Sequence, residues 1–195
     1  AILVDGYFAR TTYKKNEPAF ISTMGGTFSY DGSTMSGTLE FNSNDAGQVG
    51  ESFSIRAKLN GDRLTVNHQD GSSETWERID KAENDLAGVW RITQRDSEGK
   101  MNEIPLRARR TLKILSGTRF QWAAINVETG EFSGTGGGTY TFENGTYTEN
   151  IEFFSRDNSR VGMSLSFEGE VKGDDWHHKG KSSKGDPIYE VWSKM

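Results

Sequence analysis

Displaced by 112 residues, the chain aligns with itself: Tyr7–Val66 falls on Arg119–His178 without a gap, with 17 identities in 60 positions. Gly25-Gly26-Thr27 meets Gly137-Gly138-Thr139, Glu40-Phe41 meets Glu152-Phe153, and Gly61-Asp62 meets Gly173-Asp174. Agreement at that density over an ungapped stretch marks a duplication, so the chain consists of two units of one supersecondary plan. Past one inserted residue, Trp76-Glu77 aligns with Tyr189-Glu190, so both copies close on the same kind of segment.

Within each copy the apolar residues alternate with polar ones. Phe53, Ile55, Ala57 and Leu59 face one way and Ser52, Ser54, Arg56 and Lys58 the other, and copy two repeats this with Met163, Leu165, Phe167 and Val171. A period of two is that of a strand with one buried face. Phe120/Trp122, Tyr140/Phe142 and Ile151/Phe153 are read as further inward pairs by the same rule. Asp31-Gly32, Asn144-Gly145, Asn60-Gly61-Asp62 and Lys172-Gly173-Asp174 supply tight turns. Met101–Arg110 reads as one helical turn or a loop. The expected fold is all-β: two tandem antiparallel barrels, since closure is the simplest way for a meander to avoid bare edges.

The copies are unequal. Leu86-Ala87-Gly88-Val89-Trp90-Arg91-Ile92 opens the second, and its counterpart would lie about 25 residues before Ala1. The expectation is therefore an N-terminally incomplete barrel over residues 1–80, a charged linker at Asp80–Asp85, a complete barrel over residues 84–195, and a preceding segment carrying a strand like Gly88–Ile92.

Composition narrows the chemistry. The absence of Cys excludes disulfides, thiolate metal sites and cysteine nucleophiles. A net charge of −5 without a basic stripe argues against a nucleic-acid partner. No apolar stretch has the roughly 18–20 residues of a transmembrane helix. His177-His178 after Asp174-Asp175 suggests a metal only superficially, because neighbours on a strand point to opposite faces. Glu40 and Glu152, with Glu149 nearby, fall on the polar face and read as solvated rather than as a glycosidase pair. Gly134–Gly138 is not followed by a helix and is no phosphate cradle. No catalytic residue, metal or cofactor is assigned, and the chain reads as a non-enzyme.

Gly88-Val89-Trp90, together with the closing Tyr189-Glu190-Val191-Trp192-Ser193-Lys194, resembles the Gly-x-Trp opening strand of lipocalins and related calycin barrels. In those barrels the Trp plugs one end and a basic residue of the last strand packs over it. With Thr111–Leu115 and Arg119–Trp122, the unit is similar to secreted bacterial lipocalin-like domains of unknown function. The similarity covers residues 84–195 and, without its first strand, residues 1–80; it departs from lipocalins in lacking a Cys pair and a C-terminal helix. The resemblance implies a protein exported to the periplasm, the cell surface or the medium.

The candidate lining of a ligand cavity is Trp90, Phe120, Trp122, Tyr140, Phe142, Phe153, Phe167 and Trp176, with Arg107 and Arg109 as carboxylate anchors. The expected function is non-enzymatic binding of a small apolar or amphipathic ligand. The alternative is a cell-surface or periplasmic interaction module with filled barrels and a protein partner.

Overall fold

Alternation in this sequence becomes strand almost wherever it occurs. The computed structural model describes residues 1–81 and 83–195; Ala82, inside the expected linker, lies outside the described residues. Seven strands run as one antiparallel meander: β1 (Ile2–Val4), β2 (Tyr7–Lys14), β3 (Ala19–Tyr30), β4 (Thr34–Asn42), β5 (Ser52–Asn60), β6 (Arg63–Asn67) and β7 (Ser73–Glu77). A second sheet holds β8 (Gly88–Ser97), β9 (Lys100–Glu103), β10 (Arg109–Leu115), β11 (Arg119–Asn126), β12 (Phe132–Glu143), β13 (Thr146–Phe154), β14 (Ser164–Lys172), β15 (Asp175–Lys181) and β16 (Pro187–Lys194). The fold is all-β, and the described residues contain no helix beyond two single 3-10 turns.

The second sheet closes. β16 returns to pair with β8, and β8 also pairs with β10, giving an eight-stranded barrel from which the β8–β9 hairpin projects. Met101–Glu103 is thus strand rather than helix, because Lys100–Glu103 pairs with Gln94–Ser97 across a tight turn at Glu98-Gly99. The first sheet is instead an open, curled half-barrel, in which β1 and β7 each have a single neighbour.

Displaced by 112, the bounds of β4 and β5 are those of β13 and β14. The 3-10 turns between them recur as well, each opened by an Asp whose carboxylate accepts from the backbone two residues on: Asp45 from Gly47 N and Asp157 from Ser159 N. The last strand departs from the sequence alignment. Asn67 pairs with Ser73, and its counterpart Lys179 pairs with Tyr189, because the second hairpin runs two residue pairs further, through Gly180↔Ile188 and Lys181↔Pro187. Trp76 therefore corresponds to Trp192 and Glu74 to Glu190, not Trp76 to Tyr189. In both sheets the indole Nε1 donates to the glutamate, at 3.2 Å from Trp76 and 3.1 Å from Trp192.

A β-bulge decides what lies outside each sheet. In β4 the pairing jumps from Leu39↔Gly26 to Phe41↔Gly25, and in β13 from Ile151↔Gly138 to Phe153↔Gly137. The extra residue reverses parity, so Ile151 stays inside the barrel while Phe153 turns outward against Tyr13, with ring centroids 5.0 Å apart. The inward reading of Phe153 is corrected by that single residue. Strands at the bulge approach so closely that a Cβ on Gly138 would collide with the carbonyl oxygen of Asn150, and one on Gly26 with that of Thr38.

The two sheets pack through these outer faces. Ile2, Val4, Tyr7, Ala9 and Phe41 of the first meet Val89, Leu112, Ile114, Ala123 and Ile125 of the barrel in one buried cluster. Phe20 stacks on Phe132, 112 residues further on, at 6.3 Å and 9°. The carboxylates of Glu40 and Glu152 are drawn into this seam. Glu40 accepts from Tyr7 of its own unit at 3.1 Å and pairs with Arg110 of the other at 3.9 Å. Glu152 accepts from Arg119 at 2.6 Å and from Tyr13 across the seam at 2.5 Å. Between them Gln121, 2% exposed, donates to Thr23 and Thr135 and accepts from Thr11.

Candidate functional site

Two concave surfaces exist, one per sheet, and the same positions line both. In the barrel the inward residues are large. Trp90, Phe120, Tyr140, Phe167 and Trp176 are buried in one cluster with Tyr147 and Trp192, and Trp122 and Phe142 pack against it. Seven of the ten candidate lining residues are thus brought together. Phe153 lies at the seam, and Arg107 and Arg109 are exposed, away from the cluster.

At the centre of the aromatic cluster sits a charge that sequence reading passed over. Lys113 Nζ lies 2.7 Å from Glu149 Oε1, both side chains being 6% exposed, and Tyr147 donates to the same oxygen at 3.0 Å. The ammonium also lies 4.9 Å from the ring centroids of Tyr147 and Trp176 and 5.2 Å from that of Trp192, where the negative ring faces attract it. Leu112-Lys113-Ile114 looks like a strand with Lys on the polar side; in fact Leu112 and Ile114 face the seam and Lys113 the barrel interior. The available signal was that β10 carries apolar residues of both parities, with Leu115 on the Lys113 side, as a strand buried on two faces does.

His178 completes the interior, its ring 4.1 Å from that of Phe167. His177 points the other way, onto Tyr189 at 3.0 Å. Burial, with the facing Lys113 cation as a second cause, holds the His178 pKa well below its ordinary 6.5. Glu190 lies 3.7 Å away, but Arg95 at 2.6 Å and Trp192 already engage it. The sign follows. Below pH 6.5 the unfolded chain takes up a proton that the folded chain refuses, so this group removes about 1.4 kcal/mol of stability per pH unit until the depressed folded value is reached. Unfolding free energies between pH 7 and 5 should fall more steeply for the wild type than for His178→Phe; parallel curves would refute the assignment.

The half-barrel has the same positions and smaller residues. Tyr147, Glu149, Phe167, Trp176 and His178 correspond to Met35, Gly37, Ile55, Leu64 and Val66, and Lys113 to Ala1. What is filled in the barrel is hollow in the first sheet. A cavity of about 550 Å³ runs along Leu3, Phe28, Met35, Leu59, Leu64 and Trp76, and an adjoining one of about 230 Å³ continues past Phe8, Leu39, Phe53 and Val66. At the end of the second, Arg10 donates to Glu74 at 2.9 Å, with His68 3.6 Å from the same oxygen. Leu3, Leu59 and Ile79, three of the six large hydrophobic residues exposed among the described residues, border the larger cavity and give it an apolar rim. Aromatic residues are densest inside the barrel, where they pack against one another, and the matching positions of the first sheet carry smaller residues.

No helix among the described residues is long and apolar enough to cross a membrane. A family model described as "Domain of unknown function (DUF4488)" matches residues 85–195, more than half of the chain. A search of curated proteins finds no match.

Proposed function

The chain belongs to the DUF4488 family of domains of unknown function, and from that premise we propose that it is a non-enzymatic binding protein whose first unit holds a small apolar or amphipathic molecule. One observation carries the reading. The exchange of Tyr147 and Trp176 for Met35 and Leu64 leaves a cavity of about 550 Å³ with mostly apolar walls, and Ile55 in place of Phe167 borders the adjoining one. That volume lies within the roughly 300–1,000 Å³ of small-molecule sites. Arg10, His68 and Glu74 at one end supply the few polar groups that would orient a head group. The closed barrel, its interior taken up by its own side chains, serves as the rigid platform against which the half-barrel is seated.

Duplication and a lipocalin-like origin belong to the same reading. Their support is the recurrence of elements at a spacing of 112 and the position of Lys194, whose Nζ lies 5.9 Å from the Trp90 ring centroid as a last-strand base does over a lipocalin's Trp. Export rests on the resemblance of the Gly88-Val89-Trp90 strand to secreted domains.

Refilling the cavity tests the proposal. Met35→Tyr with Leu64→Trp installs the barrel's own residues at the matching positions. Palmitate and a naphthalene-sulfonate dye, followed by Trp fluorescence, should bind the wild type saturably and the double variant at least about tenfold more weakly, with the melting temperature retained. Equal binding by both proteins, or none by the wild type, would overturn it.

A further inference from the structure

The edges of the half-barrel are as informative as its hollow. In the barrel, β8 bridges two strands at once, through Leu115↔Gly88 and Leu112↔Arg91 on β10 and through Trp192↔Ile92 and Glu190↔Arg95 on β16. The corresponding strands of the first sheet are β1 and β7, with Leu3 at the place of Leu115, Trp76 at that of Trp192 and Glu74 at that of Glu190. Both are edges. β1, Ile2-Leu3-Val4, is short and β7, Ser73-Glu74-Thr75-Trp76-Glu77, carries two glutamates, but neither holds a proline or a bulge that would block main-chain pairing. Leu3, 41% exposed, belongs to the β1 edge.

We propose that the half-barrel is a strand acceptor: one extended partner strand of the chemistry of β8 inserts between β1 and β7, antiparallel to both, and closes the sheet over the cavity. The barrel supplies the template for the partner. Its inward positions are apolar, as Trp90 and Ile92 are, and a basic residue at the place of Arg95, which binds Glu190 at 2.6 Å, would meet Glu74. Affinity comes from main-chain hydrogen bonds to the open edges, and specificity from the alternate side chains that enter the hollow. The inference goes beyond the small-molecule reading and does not depend on it, since the main-chain groups of β1 and β7 can pair with a strand whether or not the hollow between them holds a ligand.

The probe is a capped synthetic peptide of the β8 sequence, Leu86–Ser97, added to the full 195-residue chain. The expected result is saturable binding of one peptide per chain, with slowed hydrogen exchange confined to Ile2–Val4 and Ser73–Glu77, and loss of both with a peptide carrying Ile92→Pro and Gln94→Pro. Met35→Tyr with Leu64→Trp should still accept the peptide while losing palmitate, so failure of one proposal is distinguishable from failure of the other. Absence of saturable binding, protection elsewhere, or equal binding of the prolyl peptide would overturn strand acceptance. So would concentration-dependent self-association that protects the same edges and resists the peptide, which would assign them to a second copy of the chain.

Discussion

Replacing Lys113 by Met should destabilise the chain by about 3–5 kcal/mol, because it leaves the Glu149 carboxylate buried without its counter-charge. The pair is 2.7 Å apart with both side chains 6% exposed, so water cannot take over the role of the lost partner. Tyr147 still donates to Glu149, but a phenol hydrogen bond does not neutralise a charge. Urea unfolding of the wild type, Lys113→Met and Lys113→Met with Glu149→Leu measures the effect. The double variant should recover most of the loss, since an apolar pair of similar volume suits an aromatic interior. A single variant within about 1 kcal/mol of the wild type, the range of exposed ion pairs, would mean that the pair is reached by solvent.

Phe41→Ala should cost about 3–5 kcal/mol as well, although Phe41 lies outside its own sheet. The ring is 1% exposed and belongs to the cluster shared with Leu112, Ile114 and Ile125 of the barrel. Phe53→Ala, on the open concave side, removes a half-buried ring bordering a cavity and should cost only about 1 kcal/mol of lost apolar burial. Calorimetric unfolding of the two variants thus asks which side of the half-barrel is its core. A larger loss at Phe53 than at Phe41 would contradict the seam.

Much of the architecture was legible in advance. Alternation and turn residues were enough to place most strands, since a period of two and Asn-Gly, as at Asn144-Gly145, reflect local sterics. The candidate site was legible only in part. Seven of the aromatic residues named from the sequence share the barrel interior, but whether such residues line a space or fill it depends on the volumes of residues facing one another across a closed sheet, which no local pattern records. The wrong parity of Phe153 and the mismatch of Trp76 with Tyr189 have a common cause: a bulge or a longer hairpin shifts every later position by one or more residues and leaves almost no trace in composition.

By itself the sequence determined that this protein is all-β, with short strands joined by tight turns, because side-chain alternation is a property of the chain before it folds. Only the tertiary structure decided which faces are core. Leu112, Ile114 and Phe41 are apolar residues on outer faces, and nothing local says that another sheet will cover them. Lys113 is a charge on an inner face, tolerable only because Glu149 reaches it from three strands away around the barrel. Burial is a property of what lies opposite, and in a β-protein what lies opposite is set by long-range pairing.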